Sequence, residues 1–427
     1  MKRSSYRDQE KESKGGSLSL DLICLSHLRW NFVYQRPQHL LSRAARQQRV
    51  FFFEEPIFGD DTPHLTLERD RDGPYVAVPH LPHGLSETEQ HLAIRQLLDE
   101  MIEDQQVEDY LTWFYTPMAL KYARHLKPKL CVYDCMDQLS HFKGASREIP
   151  LLEQELFRKA DVVFTGGQSL YESKSDLHHD VHAFPSSVDV PHFAEARKGL
   201  VDPQDQADIA GPRIGYLGVI DERIDIELIE AVARAKPDWQ LIMVGPIVKI
   251  DPASLPHLPN VHYLGGKDYK DLPAYLAGWD IAMLPFARND ATRFISPTKT
   301  PEYLAAGRQV ISTSIRDVVS PYGDKKLVAI ADHPEEFIAA ATHALHLTAA
   351  QRKSWLTKVD AYLSTISWDQ TFSAMQRRLE KSLQIKSEKA SLPLPRATAF
   401  LAAEAECTLT RSGSSGLMNG KIALAPG

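Results

Sequence analysis

Residues 213–246 read RIGYLGVIDERIDIELIEAVARAKPDWQLIMVGP. An apolar run, RIGYLGV, is followed by a polar turn, then by a segment from Ile226 to Ala235 whose apolar residues recur every three to four positions, and then by a second apolar run, WQLIMVGP. Short β-rich runs that are apolar throughout, rather than alternating, suit strands covered on both faces. Strand, helix and strand in that order make a parallel α/β unit. The same alternation continues outward almost from end to end, which sets the fold class.

Toward the C-terminus the unit is repeated by NVHYLGG (260–266), a helix around Leu272 to Ala277, DIAMLPF (280–286), a helix near residue 301, RQVIST (308–313) and LVAIA (327–331), with helices over about 334–384. Toward the N-terminus the strand candidates are LDLICLS (20–26), RVFFFEE (49–55), LTWFYT (111–116), KLCVYDC (129–135) and DVVFTG (161–166), with helical segments such as HLLSRAARQ and LLEQELFRKA among them. At 427 residues the chain exceeds what one core usually supports. The expected organisation is a disordered arm (1–18), a first α/β domain (19–195), a linker (196–212), a second α/β domain (213–360), a returning helix (361–384) and a disordered tail (385–427). Two doubly wound domains imply a cleft, because such sheets bind ligands outside the carboxyl ends of their strands.

Composition narrows the function. The chain is 43% apolar and 25% charged with a net charge of −7, and it holds no apolar run long enough to span a bilayer. The mild acidity argues against a nucleic-acid footprint. Four cysteines, Cys24, Cys131, Cys135 and Cys407, show no repeated C-x-x-C spacing, and the polar first 18 residues do not form a secretory signal. Reduced thiols and a cytoplasmic location are expected.

The loops after strands carry the chemistry. After RIGYLGV, Gly215 and Gly218 let backbone approach a ligand closely, and Arg223 stands just before a helix, where a guanidinium could clamp two phosphate oxygens. The alternative is a surface Arg223 paired with Glu222 or Asp225. In SPTKTPEYLAAGRQVI (296–311), Thr300 reads as a helix cap with Pro301 at the first helical position. Lys299 then stands at the mouth of that helix, unfavourable beside the macrodipole unless an anion also visits, and the amides after it would face the same anion. Glu302 is placed either to accept two ribose hydroxyls or simply to complement the helix dipole.

The order GYLGVIDERID, LIMVGP, NVHYLGG, DIAMLPF and SPTKTPEYLAAGRQVIST resembles the donor-binding domain of glycosyltransferases with two Rossmann-like domains (the GT-B fold), specifically the retaining, family 4-like or group 1 enzymes of bacterial surface-polysaccharide synthesis. The resemblance implies that Arg223 and Lys299 meet the donor diphosphate and Glu302 the nucleotide ribose, with Gly265 to Tyr269 near the base. One position departs from the pattern: eight residues before Glu302, where a partner glutamate is usual, stands Phe294. Thr292, Arg293 and Ser296 are then the polar candidates for the sugar.

In the first half, SHLRWNFVYQRPQHLLSRAA resembles the amino-terminal segment of the same group, so the likeness covers most of residues 20–383. His27, Trp30 and Arg36 are the acceptor-side candidates. Trp30 could lie on a sugar ring or pack between strand and helix, and His27 could orient an acceptor or be structural. After KLCVYDC, Asp137 is the candidate to take the acceptor hydroxyl's proton, while Asp134 would fix the strand end. SSVDVPHF and SWDQTFSAMQRRLEKSL resemble the family's domain-closing turn and returning helix.

The implied reaction moves a sugar from a nucleotide diphosphate sugar to a hydroxyl on a glycan or lipid-linked glycan. It needs no cofactor or metal, and allows peripheral contact with the inner membrane. The lone D-x-D, Asp70-Arg71-Asp72, precedes Gly73-Pro74 and reads as a turn. Two rivals are a non-hydrolysing nucleotide-sugar epimerase and a non-catalytic partner that keeps the pocket.

Overall fold

The computed structural model describes residues 20–59 and 62–391. The arm expected at 1–18, Cys407 and the tail beyond 391 lie outside the described residues. By contacts the chain divides into unit 1–383 and unit 384–427. Of the second unit only 384–391 are described; 385–391, expected to open a disordered tail, continue the helix Trp368–Ser391.

Among the described residues, one sheet contains β1 (Asp21–Leu25), β2 (Val50–Phe53), β3 (Ile57–Gly59), β4 (His64–Arg69), β5 (Tyr75–Pro82), β6 (Tyr110–Phe114), β7 (Leu130–Cys135), β8 (Val162–Thr165) and β9 (Val181–Ala183). Its order is β3-β5-β2-β1-β6-β7-β8-β9, parallel apart from β4, which lies antiparallel on β5. A second sheet contains β10 (Arg213–Leu217), β11 (Gln240–Val244), β12 (Val261–Gly265), β13 (Ile281–Leu284), β14 (Gln309–Ser312) and β15 (Val328–Ile330). It is wholly parallel, in the order β12-β11-β10-β13-β14-β15. Both are doubly wound Rossmann-like sheets, and each reverses its winding once: between β1 and β6 in the first, between β10 and β13 in the second.

These strands form where they do because both their faces are covered. Ile23, Leu25, Phe51 and Phe53 face one core of the first lobe, and Leu22, Cys24, Val50 and Phe52 the opposite one. That second core is completed by Trp368, Met375 and Leu379, so the helix returning from the C-terminal side packs on the first lobe. The end of the expected first domain and the start of the expected linker pack with the second lobe instead, since Val188, Phe193 and Ala196 are buried in the core of the second sheet.

The two lobes touch through specific polar contacts. The Asp317 carboxylate accepts the amides of Gln168 and Ser169 at 2.9 Å each, at the start of a first-lobe helix. Ser186 Oγ donates to the Ser296 carbonyl at 2.9 Å.

A close approach fixes the loop that will matter most. A Cβ at Gly245 would sit 1.8 Å from the Gly218 carbonyl oxygen, so β11 and the β10 loop can meet only with glycine at that position. Gly245→Ala is expected to cost about 3 kcal/mol or more of stability, the upper end for an overpacked site. An unchanged melting temperature would contradict that reading.

Candidate functional site

The second lobe's winding reversal lies between the loops after β10 and β13, and these are the loops that carry Arg223 and Lys299. The backbone zips them together. The Asp225 amide donates to Pro285 O at 2.8 Å and the Ala287 amide to Arg223 O at 2.8 Å, with a bridge between Ile224 and Phe286. Arg223 is paired with neither Glu222 nor Asp225. Its guanidinium forks onto Asp221, Nε to Oδ1 at 2.9 Å and Nη2 to Oδ2 at 2.7 Å, while Asp225 caps the next helix through the Leu228 amide. Burial opposes the charge of Arg223, but the Asp221 pair outweighs it and holds the group protonated.

Arg223 faces the first lobe. Its guanidinium carbon lies 5.7 Å from the centre of the Phe142 ring, and Lys249 Nζ lies 5.5 Å from the same ring. Lys249 was not a sequence candidate. It occupies the loop after β11 in a left-handed conformation with φ of 61°, a costly geometry for a lysine that tends to persist where a side chain must be aimed. Reading the loop after β11 as well as those after β10, β12 and β13 would have found it.

Asp137 stands opposite, in the loop after β7. Burial raises its carboxyl from 3.8 to about 6, against the pull of Arg223 and Arg36. His27 occupies the loop after β1, at the first lobe's reversal. Burial and the nearby Lys249 lower its pKa to about 4, so the imidazole is neutral, and its buried Nδ1 has no partner. The two carboxylate oxygens of Glu222 are likewise buried and unpartnered.

Lys299 forms a second cluster. The helix runs Lys299–Ala305 with Thr298 as N-cap, two residues earlier than the Thr300 cap expected. Pro301 still sits among the first residues, where no N–H is needed. The amides of Thr300 and Glu302 turn back to Pro297 O at 3.2 Å and Thr298 O at 3.4 Å, so they do not face an anion beside Lys299 as expected. Lys299 Nζ is instead 2.6 Å from Glu302 Oε2, and the two side chains are 14% and 4% exposed. Burial raises the Glu302 carboxyl and Lys299 draws it back. Beside this pair the Tyr269 ring stacks on His192 at 4.4 Å and Tyr34 at 4.5 Å, and its buried hydroxyl, like that of Thr300, has no partner. Tyr269 also lines a 420 Å³ cavity with Tyr34, Arg43, Asp189 and the turn at Asp72. That turn forms as read, with the Asp72 amide on Asp70 Oδ1 at 2.8 Å.

Three sequence candidates have other work. Arg36 is buried, forks onto Asp134 at 2.8 to 3.1 Å and donates to Phe184 O at 2.7 Å, so it ties its helix to the end of β7 and does not reach an acceptor. Trp30 is 4% exposed and meets Phe52 edge-on at 5.0 Å. It fills the core and offers no face to a sugar. Thr292 is buried and closes its own turn, bonding to Ala287 O and accepting the Asn289 amide at 3.1 Å. Among the remaining donor-side candidates, Gly218 meets Gly245 as described and Gly265 ends β12 at φ of 70°. Ser296 abuts Gly167 of the first lobe. Phe294, in place of the usual acid, packs toward the first-lobe core and tilts against His141 at 5.7 Å.

The site thus consists of two reversal points facing one another, with cations on the second lobe and a titratable carboxyl and imidazole on the first. Such an arrangement can hold a diphosphate and pass a proton.

Residues 211–346 match the family of glycosyl transferases group 1. The chain is 28% identical over 233 residues to a candidate teichuronic acid biosynthesis glycosyltransferase of Bacillus subtilis (strain 168). That match covers 50% of this chain and 58% of the relative, so the chain spans little more than half the relative's length. Among solved structures, a trehalose-6-phosphate structure from E. coli bound with UDP-2-fluoro glucose is similar at a TM-score of 0.62 and 13% identity, over 84% of this chain and 98% of that one. Sucrose-phosphate synthase from Thermosynechococcus elongatus is similar at 0.62 and 12%, over 85% and 98%. At these identities the likeness is one of fold, and it is the two-Rossmann-domain GT-B fold.

Proposed function

We propose that this chain, which carries a group 1 glycosyltransferase domain over residues 211–346, moves a sugar from a nucleotide diphosphate sugar to a hydroxyl acceptor. The observation that carries the reading is the backbone zipper between the β10 and β13 loops, which holds the Arg223 loop against the loop leading to Lys299 at the sheet's winding reversal. As the glycosidic bond breaks, charge grows on the leaving diphosphate. Arg223 and Lys299 meet that charge, and each well-placed donor of this kind is worth about 3 to 4 kcal/mol in other enzymes. Glu302 leaves Lys299 for the ribose hydroxyls, and Tyr269 borders the base.

In this scheme no metal or cofactor is needed and configuration is retained, as in the enzymes the sequence resembles. The acceptor is a glycan or lipid-linked glycan, in keeping with the relative's role in teichuronic acid synthesis. Among the described residues no helix is long and apolar enough to cross a membrane. A lipid-linked acceptor, in this scheme, is met peripherally at the cytoplasmic membrane face.

Asp137 takes the acceptor proton, which requires its carboxylate form. With the pKa raised to about 6, the rate at saturating donor should fall about tenfold per pH unit below that value and level off above it. Asp137→Asn should remove the limb and lower the rate by about 10² to 10⁴. A flat profile from pH 5 to 8 in the parent would contradict this role.

The reading is tested with UDP-, GDP-, ADP- and dTDP-sugars, with and without octyl glycosides as acceptor analogues. Transfer requires nucleoside diphosphate release that rises with acceptor, together with a new glycoside. Epimerised donor without acceptor, or binding with no release, would refute it.

A further inference from the structure

A second cavity, of 520 Å³, opens at the β9 edge of the first sheet, three strands from the winding reversal at β6. Its walls are the edge strand β9 with Phe184, Tyr171 from the helix Gln168–Lys174, and one face of the helix Trp368–Ser391. That helix presents two distinct stripes. Trp368, Phe372, Met375 and Leu379 follow helical spacing into the core of the first lobe. Ala374, Arg377, Arg378 and Lys381, spaced by three, four and seven, line the cavity.

Among the described residues, Arg377, Arg378 and Lys381 form no hydrogen bond or ion pair. Like charges three and four apart on one helical face repel each other. Nothing in the packing requires them, since the buried stripe lies elsewhere on the helix. The other polar wall residue, His182, is already held by Asp180 at 2.8 Å, and Asp180 also accepts from Ser382 at 2.9 Å. Three unpartnered cations therefore converge on a concavity whose remaining walls are apolar or aromatic: Val181, Ala183, Phe184 and Tyr171. In a chain of net charge −7 this concentration of uncompensated positive charge is local.

We propose that this cavity binds a phosphate-bearing ligand, with its phosphate or diphosphate on Arg377, Arg378 and Lys381 and its organic part against Phe184 and Tyr171. A phosphate monoester carries about −1.5 to −2 charges at pH 7 and three acceptor oxygens, which suits three converging donors better than the single charge of a carboxylate. The volume lies within the range of small-molecule sites. The ligand is either a free phosphorylated compound or the headgroup of an anionic lipid; the chemistry of recognition is the same.

The test uses the full chain and reads binding, not turnover. Inorganic pyrophosphate is titrated calorimetrically, and co-sedimentation is measured with phosphatidylcholine vesicles with and without phosphatidylglycerol. The proteins are the parent, R377A/R378A/K381A, a charge-matched control R158A/K353A/K358A, and R223A to remove the contribution of the interlobe site. The proposal expects the triple variant to bind pyrophosphate, phosphatidylglycerol vesicles or both at least about tenfold more weakly, a difference of about 1.4 kcal/mol, than the control, and expects R223A to keep that component. Loss of the vesicle arm alone identifies a headgroup, and loss of the pyrophosphate arm alone a free phosphate. The three side chains are exposed, so melting without probe should be unchanged. A triple variant that binds both probes as the control does, or a parent that binds neither, would overturn the proposal.

Discussion

Replacing Lys299 by alanine is expected to lower kcat/KM for the donor by about 10² to 10³, the loss seen when one donor aimed at developing negative charge is removed. The same substitution leaves Glu302 buried beside no cation. Breaking a buried pair from one side costs about 3 to 5 kcal/mol, so the variant should also melt earlier. The two effects separate in K299A/E302Q, where a neutral amide replaces the stranded carboxylate: stability should largely return and donor use should not. Lys299→Ala with unchanged donor kinetics would remove the lysine from the site.

Arg36→Ala should cost a comparable amount of stability, again about 3 to 5 kcal/mol, because Asp134 is 0% exposed and has its two oxygens on that guanidinium. Arg36→Lys should recover only part of it, since an ammonium cannot reproduce the fork or reach Phe184 O at the same time. Chemical denaturation measures both, and a midpoint equal to the parent's would show that the pair contributes nothing net.

Much of the architecture was legible in the sequence because strands covered on both faces must be apolar throughout. The helices Ile226–Ala235 and Leu272–Ala277 fall where their periodicity places them. The strands left unread are those at or near an edge. β5, YVAVPHLP, contains two prolines, β4 is half exposed, and β3 and β9 have three residues each. The helix Glu87–Asp104, with Ser86 and Glu89 as a capping box, also went unread although its signature is present in the sequence.

At the site, residue type and loop were legible but side-chain direction was not. Arg36 and Trp30 stand in loops and helix starts near a strand's carboxyl end, just as His27 does. What turns Arg36 inward is Asp134, 98 positions away, and what holds Trp30 is a core built from distant strands. The ion pair between Lys299 and Glu302 is three residues long in sequence and could have been foreseen, since a lysine and a glutamate at that spacing on one short helix are neighbours.

The central claim is that Arg223 and Lys299, partnered in the free protein with Asp221 and Glu302, serve one diphosphate between the lobes. Calorimetric titration of UDP, GDP, ADP and dTDP into the parent, R223A and K299A tests it most directly. The account requires at least one nucleoside diphosphate to bind the parent at one-to-one stoichiometry, with each substitution weakening that same event by about tenfold or more. No binding by any of the four, or binding that either variant retains at full strength, would contradict it.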